Sequence, residues 1–145
     1  MNDNHYQQNL YMKINLTITG CMGRMGQQLI KSSNKNKIFK IVSLTENFKI
    51  NKKINNILPE FNNVNSFKKT NIIIDFTVPK CTLEVLKIAS KLKKRVVIGT
   101  TGFTKSQENL IKKYSKKIPI LKAGNMSLGI NLLMYLTEIT SKSLG

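Results

Sequence analysis

Histidine, tryptophan, arginine and acidic residues are all scarce in this 145-residue chain. The single histidine, His5, lies in a polar N-terminal stretch, so no Ser–His–Asp or Cys–His constellation can be assembled from these residues. Two cysteines, Cys21 and Cys81, are too few for a disulfide framework, and neither has a Cys or His neighbour at metal-ligand spacing. No metal is expected, and a reducing, cytoplasmic setting fits. No apolar run approaches the roughly 18 residues of a membrane span, and the first residues lack the basic start and apolar core of a secretory signal. The expectation is a soluble protein with no membrane partner.

Positive charge is what the chain has in excess, with a formal net charge of +17. Clustered cations would suggest a nucleic-acid partner, because they release counterions from phosphate backbones. Only Arg24 and Arg95 are arginines, however, and the guanidinium is the group suited to bidentate phosphate and base contacts. The lysines are spread along the whole chain among Asn and Ile, as solvated faces are. No specific nucleic-acid partner is expected, and the charge leaves room only for a weak, salt-sensitive affinity.

Hydrophobic periodicity divides the chain into alternating elements. Residues 1–12 read as a polar tail, with Met12 an alternative start. Ile14, Leu16 and Ile18 alternate with polar residues and predict a strand, followed by a glycine-rich turn and a helix with Met25, Leu29 and Ile30 on one face. A second strand is expected over Ile38–Leu44, then a long polar loop with a helical turn near Ile54–Leu58. Ile72–Ile74 suit a strand buried on both faces. Pro79 is placed to open a helix whose inward face is Leu83, Leu86, Ile88, Ala89 and Leu92. Arg95–Ile98 and Ile118–Leu121 read as further strands. Between them Thr104 and Gln107 have capping-box spacing for a helix to about Ser115. Ser127–Leu144 closes the chain as an amphipathic helix with Leu128, Leu132, Leu136 and Ile139 in its stripe. The alternation predicts an α/β fold, a doubly wound parallel sheet with right-handed crossovers.

Seven of the eight glycines fall in three segments, each after a predicted strand: Gly20–Gly26, Gly99–Gly102 and Gly124–Gly129. In an open parallel sheet, ligands bind beyond the carboxyl ends of the strands, where these segments would converge. Gly20-Cys21-Met22-Gly23-Arg24-Met25-Gly26 reads as the pyrophosphate turn of a Rossmann-type dinucleotide-binding domain, since glycines admit close backbone approach at the positive end of a helix. Its G-x-x-G-x-x-G spacing departs from the usual G-x-G-x-x-G. Glu46, twenty residues beyond Gly26, is placed to accept hydrogen bonds from ribose hydroxyls; the alternative is an exposed surface carboxylate. Asp75 could cap the following helix or sit in the cleft. Cys21, near a helix start, could be a nucleophile or simply a small residue fitting a tight turn.

Four motifs carry a resemblance: Gly23-Arg24-Met25-Gly26, Ile74-Asp75-Phe76-Thr77 with Pro79, Val97-Ile98-Gly99-Thr100-Thr101-Gly102-Phe103, and Asn125-Met126-Ser127-Leu128-Gly129-Ile130-Asn131. In this order they resemble dihydrodipicolinate reductase, now called 4-hydroxy-tetrahydrodipicolinate reductase, over nearly everything from Lys13 onward. The resemblance implies hydride transfer from NADPH or NADH to a cyclic dihydrodipicolinate precursor in lysine and diaminopimelate biosynthesis. It implies that Gly20, Cys21, Met22, Gly23, Arg24 and Met25 hold the pyrophosphate and Glu46 the ribose. It places Gly99, Thr100 and Thr101 on the nicotinamide side and Ala123, Gly124, Asn125 and Met126 near the carboxamide, with Thr101 also facing the substrate. Asn47 stands where many members place an arginine for the 2′-phosphate of NADP, which leaves the choice of cofactor open; Lys49, Lys52 or Lys53 could supply the charge. The expected division is a 13–126 cofactor domain and a 127–145 helix leading toward a substrate and assembly domain, the family being homotetrameric. The family's H-H-x-x-K-x-D-A-P-S-G-T loop, with its catalytic histidine and lysine, does not occur in these residues, so cofactor binding with little turnover is expected. Alternatives are a noncatalytic NAD(P)-binding fragment and the nucleotide half of another two-domain dehydrogenase, against which the Gly99–Gly102 and Asn125-x-Ser127 motifs argue.

Overall fold

The computed structural model of the chain describes residues 13–124 and 128–144. Ten elements alternate along it: β1 (Ile14–Thr19), α1 (Arg24–Lys35), β2 (Phe39–Thr45), α2 (Val64–Lys68), β3 (Ile72–Asp75), α3 (Pro79–Lys91), β4 (Arg95–Ile98), α4 (Lys105–Ser115), β5 (Ile120–Lys122) and α5 (Leu128–Leu144). The strands form one sheet in the order β2-β1-β3-β4-β5, every pair parallel. Strand order reverses at β1, between β2 and β3, which makes this the point where the loops diverge and a crevice opens. Registers align Thr45, Thr19, Asp75, Ile98 and Lys122 in a row across the sheet. The loops that leave these residues therefore start from one edge.

Burial explains why β1 carries threonine where a half-exposed strand would carry charge. Leu16 and Ile18 are buried, and so are Thr17 and Thr19, because helices cover both faces of the sheet. Each buried hydroxyl is paired: Thr17 with Thr70, and Thr19 with Asp75. One apolar cluster gathers Phe67, Ile73, Val85, Leu86, Val96 and Ile98, and the other gathers Ile18, Cys21, Ile30 and Leu44. Each fully buried Ile, Leu or Phe stabilises the fold by about 1.5–3 kcal/mol relative to an exposed one.

The inward face of α1 is Gly26, Ile30 and Ser33, with Leu29 packed at its margin, so of the expected Met25–Leu29–Ile30 stripe only Met25, 48% exposed, turns outward, and Gly26 takes its place. A glycine in that stripe carries no hydrophobic signal. Along α3 the buried residues are Thr82, Val85, Leu86 and Ala89, with Leu83, Ile88 and Leu92 packed at the margin. The helical turn expected near Ile54–Leu58 is instead a tight turn. Ile54 and Ile57 exchange backbone hydrogen bonds of 2.8 and 2.9 Å across Asn55 and Asn56, whose φ values are 51° and 62°. Asparagine tolerates this left-handed region, and the two isoleucines pack onto the second cluster. The helix of this loop is α2, where Asn63 Oδ1 accepts from Ser66 N at 3.0 Å and Phe67 is wholly buried. In α4 the expected capping box is present: Thr104 Oγ1 accepts from Gln107 N at 3.3 Å, and Gln107 Oε1 accepts from Thr104 N at 2.8 Å. The α5 helix forms, with Leu132, Leu136 and Ile139 of its stripe each at least 44% exposed.

Candidate functional site

The first glycine segment folds as a turn whose first and last positions admit only glycine. Gly20 has φ +67°, and a Cβ there would stand 2.8 Å from Thr77 Cγ2 and 3.2 Å from the Phe76 carbonyl oxygen. A Cβ on Gly26 would overlap the Gly20 carbonyl oxygen. The backbone N–H groups of Gly20 and Cys21 both donate to Thr45 O, at 2.9 and 3.2 Å, which ties the turn to the end of β2. Helix α1 then begins with Gly23 as N-cap, no capping side chain and no acidic residue in its first turn. Such a helix start leaves backbone donors and the positive dipole end available to an anion. A diphosphate fits the helix end of this turn: the N–H groups of Gly20, Cys21, Met22 and Gly23 are spent on Thr45 O, Glu46 and Gly20 O, whereas those of Arg24, Met25 and Gly26 open α1 with no side-chain cap over them. Cys21 lies wholly buried beneath it. Burial, with the Glu46 carboxylate adding, pushes its thiol up to about 11, so it is a packing residue and no nucleophile.

Glu46 follows β2 and is 9% exposed, not a surface carboxylate. Its Oε2 accepts from Met22 N and its Oε1 from Asn47 N, both at 3.0 Å. The carboxylate is thus fixed against the glycine turn, with lone pairs left over for a ligand. Gly20, Met22, Gly23, Glu46, Asn47 and Phe48 line one side of a cleft of about 420 Å³, and Phe76, Thr77, Val78 and Cys81 the other. The cleft continues past Glu46 and Asn47 into a recess of about 280 Å³ bounded by Phe61, Lys80 and Glu84. Asn62 shapes the junction, accepting from Thr45 Oγ1 at 2.6 Å and donating to Cys81 Sγ at 3.1 Å. Burial pushes the Cys81 thiol up as well. Arg24 and Met25 are exposed in the first turn of α1, outside the cleft wall. Lys49, Lys52 and Lys53 are exposed and none borders the cleft; Lys52 lines a separate depression beside α1 with Lys31.

Asp75 neither caps α3 nor lines the cleft. It is fully buried at the end of β3 and accepts four hydroxyl hydrogen bonds: Oδ1 from Thr19 at 2.5 Å and Thr77 at 2.8 Å, Oδ2 from Thr82 at 2.5 Å and Thr100 at 3.0 Å. Sequence reading missed the three partners Thr19, Thr77 and Thr82; the signal was a set of threonines on either side of Asp75, at the end of β1, after β3 and in the first turn of α3. It also missed Phe76, whose ring occupies the space a Gly99 Cβ would need. Thr100 is buried, Thr101 is exposed at the edge, and Gly102 has φ +82°. Ala123 and Gly124 follow β5 at the same edge, three strands from β1, with Ala123 N donating to Ile98 O at 3.2 Å. Asn125 and Met126 lie outside the described residues. Nearby, the Lys122 ammonium pairs with Glu108 at 2.5 Å and lies 5.2 Å from the Phe103 ring centroid. Among the described residues no group of His, Cys, Asp and Glu could hold a metal ion, and no helix is long and apolar enough to cross a membrane.

Comparison with known proteins agrees with this fold. The family model described as dihydrodipicolinate reductase, N-terminus, matches residues 14–126. The chain is 74% identical over 132 residues to the 4-hydroxy-tetrahydrodipicolinate reductase of Pelagibacter ubique (strain HTCC1062), covering 91% of this chain and 51% of that protein. It is 40% identical over 148 residues to the enzyme of that name from Buchnera aphidicola subsp. Acyrthosiphon pisum, covering 92% and 54%. Among solved structures, a dipicolinate-bound dihydrodipicolinate reductase from Paenisporosarcina sp. TG-14 superposes with a TM-score of 0.74 at 26% identity, over 90% of this chain and 54% of that one. A Plasmodium falciparum pyrroline carboxylate reductase with NADP bound shares the fold alone, with a TM-score of 0.51 at 20% identity over 75% of this chain and 41% of that one. The chain spans about half the length of the curated relatives it matches. With the family model covering β1 through the segment after β5, the chain belongs to the dihydrodipicolinate reductase family, as its N-terminal, Rossmann-type α/β part.

Proposed function

We propose that residues 13–126 bind NADH or NADPH for a 4-hydroxy-tetrahydrodipicolinate reductase, with α5 leading toward a substrate domain. The observation that carries this reading is the joining of the bare glycine turn to the Glu46 carboxylate at the mouth of one cleft. When bound, the nicotinamide cofactor would supply the hydride delivered to the small-molecule substrate. The chain's own residues bind and orient. The turn from Gly20 to Met25 receives the pyrophosphate, with the backbone N–H groups at the start of α1 as its donors, and Glu46, with both oxygens anchored by backbone N–H groups, accepts from the adenine-side ribose hydroxyls. Gly99–Thr101 border the nicotinamide, Ala123–Met126 its carboxamide, and Thr101, exposed at the edge, faces the substrate. Asn47 brings no charge to a ribose 2′-phosphate. Lys80, on the wall of the recess that Glu46 and Asn47 share, is the cation best placed to meet it.

Calorimetric titration of the chain with NADH and NADPH tests the reading. Glu46→Gln keeps the shape but turns one acceptor into a donor, and hydrogen bonds to charged groups contribute about 1.5–3 kcal/mol. NADH affinity should fall about tenfold or more, with the circular dichroism spectrum unchanged. An unaltered affinity in a folded variant would remove Glu46 from the ribose site. Failure of the parent chain to bind either cofactor at millimolar concentration would remove the whole reading.

A further inference from the structure

We infer that Asp75 is a positioning residue: its carboxylate sets the spacing between the Gly20 turn and the Gly99–Gly102 loop, so that a ligand bridging both finds them in register. The inference rests on the proposed dinucleotide site and adds a residue that no ligand can touch, since Asp75 is fully buried. Its four donors come from different elements. Thr19 ends β1 and immediately precedes Gly20; Thr77 follows β3, and its methyl group is the atom nearest a Gly20 Cβ; Thr82 belongs to α3; Thr100 follows Gly99. The main chain repeats the link, with Gly99 N donating to Asp75 O at 2.8 Å.

A buried carboxylate is a poor choice for stability alone. Desolvating it is expensive, and apolar residues of similar volume commonly serve as well or better in such places. What a carboxylate adds is direction. It is acceptor-only, with about four lone-pair sites, and here four hydroxyls use them. Thr100 is doubly committed: its hydroxyl donates to Asp75 Oδ2 at 3.0 Å and accepts from Thr77 N at 2.9 Å. Its single O–H donor is therefore spent inward. The loop offers a ligand its backbone and the exposed Thr101, while Thr100 works as the joint between the β3 and β4 loops.

The discriminating experiment compares a ligand that spans both loops with one that engages only the first. NADH and 5′-AMP are titrated into the chain and into Asp75→Asn, and amide hydrogen exchange is followed at Thr77 and Gly99. The expected result is at least tenfold weaker NADH binding, 5′-AMP affinity within twofold of the parent, and faster exchange at both amides. Should Asp75→Asn fail to fold, Thr100→Val replaces it with the same expected split and faster Gly99 exchange, and Thr100→Ser restores NADH affinity to within twofold. Equal losses for NADH and 5′-AMP, or no loss for either, would overturn the positioning role. A NADH loss in Thr100→Val with Gly99 exchange unchanged would make Thr100 a direct ligand and overturn it too. If the parent chain binds neither ligand, the dinucleotide reading falls. The exchange rates then decide alone whether Asp75 holds the two loops, and unchanged exchange at Thr77 and Gly99 in Asp75→Asn refutes it.

Discussion

Gly26→Ala adds one methyl group at the point where α1 crosses the glycine turn, and the structure fixes what that methyl meets. The new Cβ would overlap the Gly20 carbonyl oxygen and stand 2.9 Å from Cys21 Cα and 3.0 Å from the Gly20 carbonyl carbon. All three are backbone atoms, so no side-chain rotation relieves them; either the turn opens or α1 slides. Overpacking of this kind costs about 1–3 kcal/mol, and alanine returns up to about 1 kcal/mol through its helix propensity. The net loss is about 1–2 kcal/mol, a fall in Tm of about 3–6 °C for a domain of this size. The effect on binding should exceed the effect on stability, because the Gly20 carbonyl and the Met22 N–H move together, and with them the Glu46 contact. Thermal melting followed by circular dichroism and NADH titration of the folded variant measure the two. Gly102→Ala is the control. It has φ +82° with nothing within 4 Å of its Cβ, so it should pay about 1 kcal/mol of backbone strain and leave the turn intact. A Gly26→Ala variant with parental Tm and parental NADH affinity would refute the reasoning.

Two further outcomes follow from local chemistry. Because burial raises the Cys21 thiol to about 11, the folded state holds this proton more tightly than the unfolded chain does. The associated stability is fully present below the unfolded thiol value of about 8.5 and is lost as pH rises toward 11. Urea midpoints should fall between those limits, and Cys21→Ala should show a smaller fall; equal slopes in both proteins would contradict the burial argument. Thr104→Ala removes the hydroxyl half of the α4 capping box and should cost about 1 kcal/mol by urea denaturation, with NADH affinity unchanged, since α4 does not border the cleft.

Element types were legible wherever one physical requirement dominated a segment. Consecutive isoleucines could only suit a strand covered on both faces, Pro79 could only open α3, and Thr104 with Gln107 announced α4. Legibility failed where a residue served two requirements at once. Gly26 belongs to the buried face of α1 because the turn needs its missing Cβ, and a glycine gives no hydrophobic signal, so Met25 alone of the expected stripe stands in the wrong place. Asn55 and Asn56 hold a tight turn by their tolerance of positive φ, and the flanking isoleucines, spaced as in a helix, concealed it. The same limit applies at the site. Glycine spacing and a carboxylate after β2 located the cleft, since both line it by chain position alone. Asp75 left two readings open, helix cap or cleft wall, because its role depends on Thr19, Thr82 and Thr100, which lie 56, 7 and 25 residues away. A hub whose hydroxyls come from the end of β1, the loops after β3 and β4 and the first turn of α3 has no local signature. Its sequence trace is only the oddity of threonines around those ends, and the tertiary fold is what turns that oddity into a carboxylate with every acceptor filled. On the proposed function the glycine turn is where a dinucleotide enters, and the hub beneath it is what keeps the second loop within the dinucleotide's reach.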